Sequence, residues 1–304
     1  MSVAGLRIQL FGKFTVQVTG RRLGELDSSK VQELLAYLLI YREQSHPRES
    51  LAELLWQASS TAQAKKYLRQ ALWQMQHVLP KGQAERLILI EPDWVRISSE
   101  AEYWLDVAEF EAAFARAHGI PGQELQPEVA ATLQQAVALY RGDLLEGWYS
   151  DWCLYERERL QNMWLAMLDK LMSYCEARLA FEDGLSFGVQ VLRKDRARER
   201  THRRLMRLAY LAGDRTGALR QYERCVCALE EELNVRPGRR TEDLHRQILN
   251  DGLEPTSPHR LPAAQKPVEN VSYRLDQMRD ILNRLRHHVG EDLDALDRAL
   301  TDPK

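Results

Sequence analysis

Apolar and polar residues alternate over residues 6–18, which is the pattern of two short strands joined by a tight turn. The spacing of apolar residues then changes to three and four, which predicts amphipathic helices over about 29–39, 47–56 and 61–79. A second alternating stretch, residues 86–98, surrounds a turn-forming Glu-Pro-Asp sequence and predicts a hairpin. We therefore expect strands, three helices and a terminal hairpin, which is the element order of a winged helix-turn-helix.

The third predicted helix has one face suited to a protein core and an opposite face of different chemistry. Its apolar residues fall on one stripe at helical spacing: Ala64, Leu68, Leu72, Met75 and Leu79. The opposite face carries Gln63, Lys66, Gln70, Trp73, Gln74 and His77, with Lys65 and Arg69 on its flanks. The 17 residues from 61 to 77 contain no Asp or Glu. A partner that repels carboxylates would explain this absence, and the DNA backbone is the commonest such partner.

Helical spacing continues beyond residue 100. Asp106 and Glu109 have the spacing of a capping box at the start of a helix. Further helices are predicted over about 129–140, 153–179, 184–192, 201–211 and 216–233, with turns at 181–184 and 212–214. The last helix pair has the small-residue and aromatic spacing of a tetratricopeptide unit, through Ala209, Gly213, Asp214, Ala218 and Tyr222. Stacked helix pairs of this kind form concave binding surfaces, not catalytic sites.

These patterns predict a mainly α fold with small β elements. Residues 1–99 would form an N-terminal winged helix-turn-helix domain, and residues 100–253 an α-helical tetratricopeptide-like repeat domain. Residues 254–269 are rich in proline and predict a linker. Residues 270–304 contain a short heptad seam of Val271, Leu275, Met278, Leu282, Leu285 and Val289. The seam allows either pairing with a second copy, giving a homodimer, or folding back on the chain's own body.

Composition, charge and cysteine spacing limit the classes of function that the chain can have. The 304 residues are 44% hydrophobic, which is enough for packed cores. The net charge is −2, but residues 1–99 contain 13 Lys and Arg against 9 Asp and Glu, so the N-terminal part is modestly basic. The four cysteines, Cys153, Cys175, Cys225 and Cys227, lack zinc-site spacing, and no phosphate-binding loop or catalytic grouping is present. We expect no metal, no cofactor and no enzymatic activity, and the lack of a signal peptide or membrane-length apolar run predicts a cytoplasmic location.

The chain up to about residue 249 resembles the antibiotic-regulatory-protein (SARP) family of bacterial transcription activators. Its first part resembles the family's DNA-binding winged helix-turn-helix, through LRIQLFGKFTVQV, AELLW and ALWQMQHVL. Its second part resembles the bacterial transcriptional activation domain, through YWLDVAEFEAAF, ALYRGDLLEGW, ERERLQ, RERTHRRLMRLAYLAGDRTGALRQYERC and EEELNVRPGRRTEDLHRQIL. Several segments match in the family's order, which makes the resemblance specific.

The resemblance implies a sequence-specific transcriptional activator that binds promoter direct repeats, as a dimer or as paired monomers, and contacts RNA polymerase holoenzyme. The family often has arginines late in the recognition helix, where this chain has Gln74, Gln76 and His77. The target sequence is therefore not implied. The residues also leave open a second function, a helical-repeat interaction adaptor whose winged helix does not bind DNA.

We expect the polar face of the third helix to enter the major groove of double-stranded promoter DNA. Gln matches adenine, Lys matches guanine and Trp packs on a thymine methyl group. The residues expected to face the bases are Gln63, Lys66, Gln70, Trp73 and Gln74. Lys65 and Arg69 would contact phosphates, and Arg96 and Lys30 are weaker phosphate candidates. Each could instead be a solvated surface residue, and Trp73 could pack against the hairpin.

Two other clusters have competing interpretations. Residues 193–207 contain eight Lys and Arg and could form a second nucleic-acid surface, but their many helical angles favour a solvated ridge. An aromatic cluster could frame a small-molecule pocket, although packing between helices is favoured. Its members are Trp148, Tyr149, Trp152, Tyr155 and Trp164.

Overall fold

A computed structural model describes residues 5–22, 29–79 and 86–253. The chain begins with two antiparallel strands, β1 (Leu6–Gln9) and β2 (Thr15–Val18), and a short β3 (Arg21–Arg22) pairs with β2. Gly12, in the turn between β1 and β2, has φ +80, a left-handed conformation that glycine adopts without steric cost. The predicted strand pair is therefore present.

Three helices follow: α1 (Ser29–Ile40), α2 (Arg48–Leu55) and α3 (Thr61–Val78). A second sheet has the order β4-β6-β5, with β4 (His46–Pro47), β5 (Ile88–Ile90) and β6 (Trp94–Ile97). The β5–β6 pair is the predicted hairpin, and β4 joins it immediately before α2. This arrangement is the predicted winged helix-turn-helix.

The apolar stripe of α3 fixes the orientation of this helix. Its five predicted core residues are each 3% exposed or less: Ala64, Leu68, Leu72, Met75 and Leu79. Burial of each larger side chain contributes roughly 1.5–3 kcal/mol, so rotation of α3 about its axis would be costly. The opposite face of α3 is therefore held at the surface.

The remaining described helices form the predicted repeat region, which begins with a short strand, β7 (Trp104–Leu105), and also contains a 3₁₀ turn (Gly122–Glu124). The helices are α4 (Asp106–Arg116), α5 (Pro127–Leu139), α6 (Asp151–Ala177), α7 (Phe181–Lys194), α8 (Glu199–Leu211), α9 (Arg215–Leu233) and α10 (Arg239–Leu249). From α6 to α9, each helix packs on the next, and α10 packs on α8 and α9. The mainly α fold with small β elements is thus confirmed.

The predicted turn at residues 181–184 is wrong, because α7 already begins at Phe181. The chain reverses earlier, where Leu179 has φ 58 and the Ala180 amide donates to the Cys175 carbonyl. Acidic side chains then suit the first turn of α7, because they interact favourably with the positive end of the helix dipole.

The predicted capping box at Asp106 is also wrong. Asp106 is the first residue of α4, and its buried carboxylate accepts hydrogen bonds from the Leu10, Phe11 and Val107 amides. Burial raises the pKa of Asp106, although the backbone hydrogen bonds oppose this shift. The carboxylate therefore joins α4 to the N-terminal strands.

The hydrophobic core runs without interruption from the N-terminal strands into the helical region. β7 pairs in parallel with β1, completing a sheet of order β3-β2-β1-β7. The Leu145 amide also donates to the Leu10 carbonyl at 2.9 Å. The described residues up to Leu253 form one compact unit, so the boundary at residue 99 stays a prediction. The predicted linker (254–269) and heptad segment (270–304) lie outside the described residues.

Candidate nucleic-acid interface

The outward face of α3 presents almost all of the predicted contact residues to solvent. Gln63, Lys65, Lys66, Arg69, Gln70 and Trp73 are exposed. Gln74 is less exposed than these residues and is half-buried, because it lies closer to the edge of the apolar stripe. The helix therefore brings the predicted base-contacting and phosphate-contacting groups onto one accessible surface.

The side chains of Lys66 and Arg69 form no hydrogen bond or ion pair with any residue in the described part of the chain, and the same holds for the side chains of Gln63 and Gln70. A solvated cation without an internal partner loses only water when it meets a phosphate or a base edge. This group of side chains is consequently free to bind an external acceptor.

Lys65 differs from its neighbour Lys66. Its Nζ lies 2.5 Å from Glu49 Oε1, which projects from the first turn of α2. The hydrogen bond from Lys65 holds the pKa of Glu49 below its usual range. Lys65 must share or leave this carboxylate before it contacts a phosphate.

Trp73 contacts a neighbour on its own helix. Its indole is 57% exposed and lies against the His77 ring, with ring centroids 4.0 Å apart. His77 Nδ1 donates to the Trp73 carbonyl at 2.8 Å, which fixes the imidazole beside the indole. The two rings form an exposed aromatic surface in the last turns of α3, a contact that the sequence did not predict.

The two weaker candidates are already paired within the protein. Arg96 Nε lies 3.6 Å from Glu91 Oε1 across the hairpin. Lys30 Nζ donates to Glu33 Oε2 at 2.8 Å, and Glu33 also accepts from the Ser150 hydroxyl at the start of α6. Lys30 is therefore held by Glu33, which itself links α1 to the start of α6, and Arg96 lies on the hairpin.

A cleft of about 680 Å³ separates α3 from the start of α2 and the hairpin turn. Its walls contain Arg48, Lys65, Arg69, Trp94 and the carboxylates of Glu49 and Asp93. Arg48 donates to the Glu91 carbonyl, and its backbone amide donates to the Asp93 carbonyl. Sequence reasoning missed Arg48 and the exposed Trp94, because only the pairing of β4 with β6 brings them beside α3.

The alternative sites suggested by the sequence are used mainly for packing. Trp152 makes an edge contact with Tyr37, and Trp164 stacks on Tyr140, both within the core. In residues 193–207, six of the eight cations form ion pairs with carboxylates: Lys194, Arg196, Arg198, Arg203, Arg204 and Arg207. Most cations of this run are therefore engaged within the protein, so the run is neither a free nucleic-acid surface nor the fully solvated ridge that the sequence favoured.

Cys153, Cys175 and Cys225 are buried free thiols, whereas Cys227 is exposed. Within residues 5–22, 29–79 and 86–253, no cluster of His, Cys, Asp and Glu has a geometry that could hold a metal ion. None of the helices in these ranges is long and apolar enough to cross a membrane.

Comparison with known proteins identifies the helical region. Residues 105–249 match the model of the bacterial transcriptional activator domain. EmbR of Mycobacterium tuberculosis, solved in complex with a low-affinity phosphopeptide, has a similar fold with a TM-score of 0.62. The match has 18% sequence identity and covers 83% of this chain and 67% of the EmbR chain. No curated protein matches the sequence.

These findings confirm the resemblance to SARP-type activators. Residues 105–249 match the bacterial transcriptional activator domain, and the described fold is that of a winged helix-turn-helix joined to a helical repeat region.

Proposed function

We propose that the chain acts as a transcriptional activator of the SARP type. In this role α3 binds promoter DNA in a sequence-specific manner, and the helical region contacts RNA polymerase. One observation carries the DNA-binding proposal. The exposed face of α3 holds Lys66, Arg69 and Gln70 without an internal partner in the described chain and without a carboxylate on that face. Such a face suits the major groove of DNA, where phosphates and base acceptors supply the missing partners.

The side chains of α3 divide into two roles. Lys66 would donate to guanine O6 and N7, and Gln63, Gln70 and Gln74 would pair with adenine N6 and N7. Arg69 and Lys65 lie on the flanks of the helix and would contact phosphates, which orient the protein without specifying sequence.

The aromatic surface of Trp73 and His77 would lie against a thymine methyl group or a sugar edge. Because His77 holds the indole in place, little rotamer entropy would be lost on binding. Arg48 lines the cleft and Arg96 lies on the hairpin, and both are candidates for phosphate contacts. Lys30 remains the weakest candidate because Glu33 engages it.

Selection of DNA from a random duplex library by the full chain tests this proposal. Enriched duplexes should contain two copies of one half-site in the same orientation, and their affinity should fall steeply as salt is raised. Lys66→Glu combined with Arg69→Glu should abolish binding, whereas Arg116→Glu combined with Arg240→Glu should preserve it. The two double variants change the net charge equally, and Arg116 and Arg240 are exposed and without a partner among the described residues.

Transcription in vitro tests the second half of the proposal. A template that carries the selected repeats upstream of a weak promoter should give more transcript when the chain is added to purified bacterial RNA polymerase holoenzyme. Failure to enrich any duplex, with no salt-dependent binding, would favour the interaction adaptor instead. A homodimer through residues 270–304 and a cytoplasmic location remain part of the proposal.

A further inference from the structure

A second concave surface lies in the helical region, away from the residues proposed to bind DNA. It is a groove of about 770 Å³ with α7 and α9 as its walls and α8 as its floor. Its lining residues are Val189, Leu192, Arg193, Arg196, His202, Leu205, Arg220, Gln221, Glu223, Arg224, Cys227 and Ala228. Gly188 allows α7 to approach α8 closely, since a Cβ at this position would lie 2.5 Å from a Leu205 methyl carbon.

The floor of the groove is apolar. Leu205 is buried in α8, while Val189 on the α7 wall is 45% exposed to solvent. Leu192 and Ala228 continue this apolar surface along the two walls. An occupant with apolar side chains would cover Val189 and gain about 25 cal/mol for each Å² removed from water.

The polar groups in the floor already have partners. His202 Nε2 donates to the Arg196 carbonyl at 2.8 Å, and His202 Nδ1 lies 2.7 Å from Gln221 Nε2. In this arrangement Nδ1 faces the Gln221 amide and Nε2 faces the Arg196 carbonyl, so both ring nitrogen atoms have partners. Since the floor offers no unsatisfied polar group, an occupant must be selected by its apolar side chains and by the rim.

The rim of the groove is cationic. Arg193 and Arg220 are exposed, and their side chains form no hydrogen bond or ion pair with any residue in the described ranges. Arg224 makes only a 3.5 Å contact with Gln221 Oε1, and Glu223 is the carboxylate among the lining residues. Arg196 is already paired with Glu231. The unpaired rim therefore carries more positive than negative charge.

We propose that this groove binds an acidic peptide segment of a partner protein, with Leu-like side chains on the α8 floor and carboxylates against Arg193 and Arg220. Stacked helix pairs commonly bind extended or helical peptides on such concave faces. The proposal does not depend on DNA binding by α3, because the two surfaces share no residue.

The chemistry of the groove favours a peptide over a nucleic acid. A phosphate backbone would use the arginines but leave the apolar floor uncovered. Glu223 on the wall, together with Glu231 and Glu232 beside Arg196, would also repel phosphates. A peptide satisfies both parts of the groove, since it presents carboxylates and aliphatic groups on one short segment.

Fluorescence anisotropy with the full chain tests this inference. The probe is a labelled peptide of Glu-Glu-Leu-Leu repeated three times, which places its leucines on one helical face. Two control peptides replace either every Glu by Gln or every Leu by Ser. The acidic, leucine-containing peptide should bind, and each control peptide should bind about tenfold more weakly, because each removes one of the two complementary features.

Variants locate the binding site. Arg193→Glu with Arg220→Glu should weaken peptide binding at least about tenfold through charge repulsion, and Val189→Ser should weaken it through loss of apolar contact. Arg116→Glu with Arg240→Glu carries the same charge change and should leave the affinity unchanged. Circular dichroism melting should be the same for all of these variants, since the substituted side chains are exposed.

Several results would overturn the inference. Absence of binding by the acidic peptide would do so, as would equal binding by the groove variants and the wild type. An unselected DNA duplex is the competing ligand. If this duplex displaces the peptide, and if the Arg193 and Arg220 substitutions weaken its binding to the chain, the groove is a nucleic-acid surface instead.

Discussion

The outward face of α3 and the basic run of residues 193–207 contain similar cations that are used in different ways. On α3, Lys66 and Arg69 project into solvent without a partner in the described chain. In the second region, Arg204 donates to the Asp169 backbone carbonyl at 2.8 Å and to the Ser173 hydroxyl, and Arg207 pairs with Glu176. The first set of cations is available to an external acceptor. In the second set most cations are already paired, and Arg204 and Arg207 hold α8 against α6.

This difference shows why a count of basic residues is a poor guide to nucleic-acid binding. An arginine with a buried carboxylate partner must break that pair before it can meet a phosphate, and the separated partners are then left without compensation. A solvated lysine faces no such penalty. The exposure and internal partners of each cation therefore decide which basic region can serve as an interface.

The largest effect that tests this contrast is expected from Arg204→Ala. Most of the Arg204 guanidinium is buried, and its removal would leave Asp169 with the 3.3 Å contact of Arg198 alone. We expect the free energy of unfolding to fall by about 3 kcal/mol, measured by urea denaturation monitored by circular dichroism.

The matched variant for Arg204 is Arg200→Ala. Arg200 lies on the same helix but is exposed and has no partner among the described residues. Its substitution should change the free energy of unfolding by less than about 0.5 kcal/mol. Equal destabilisation by the two substitutions would show that internal pairing does not distinguish these cations.

The next effect concerns sequence-specific binding by α3. Lys66→Ala and Gln70→Ala should each weaken binding to a selected duplex by about 1–3 kcal/mol, because each removes a proposed base contact. Binding to unselected DNA should change far less. Anisotropy with both duplexes measures the difference, and an equal loss on both would assign these residues to the backbone instead of the bases.

The apolar stripe of α3 could be predicted from sequence because burial follows the helical period of 3.6 residues, and the structure buries Leu68, Leu72 and Met75 as expected. Contacts between distant segments could not be predicted in this way. The Lys65–Glu49 pair joins two helices, and the position of Trp94 depends on pairing of β6 with β4. Local spacing thus identified the face of α3 but not which of its cations were already engaged.

The contact between the Trp73 and His77 rings was missed for a different reason. These residues lie four positions apart, so helical geometry permits the contact, but their surroundings decide whether the indole turns toward the hairpin or along its own helix. Asp106 was misplaced similarly, since its partners, the amides of Leu10 and Phe11, are distant in sequence. Side-chain direction at both positions depends on tertiary packing.

A smaller effect should separate phosphate contacts from base contacts on α3. Arg69→Ala should weaken binding to selected and unselected duplexes alike and should lower the slope of log affinity against log salt by about one. Affinity measured across a salt series provides the slope. A loss confined to the selected duplex would place Arg69 at a base edge.

The smallest effect is expected when Lys65 is released from its carboxylate partner and becomes unpaired like Lys66. Glu49→Ala removes the carboxylate that lies 2.5 Å from Lys65 Nζ, so Lys65 would be free to contact a phosphate. The salt slope for unselected DNA should then steepen by up to about one. Glu53→Ala provides the matched control, because Glu53 is exposed on the same helix and has no ion pair among the described residues. Removal of either carboxylate lowers the general repulsion of DNA, so only a steeper slope for Glu49→Ala than for Glu53→Ala would show that release of Lys65 adds a phosphate contact.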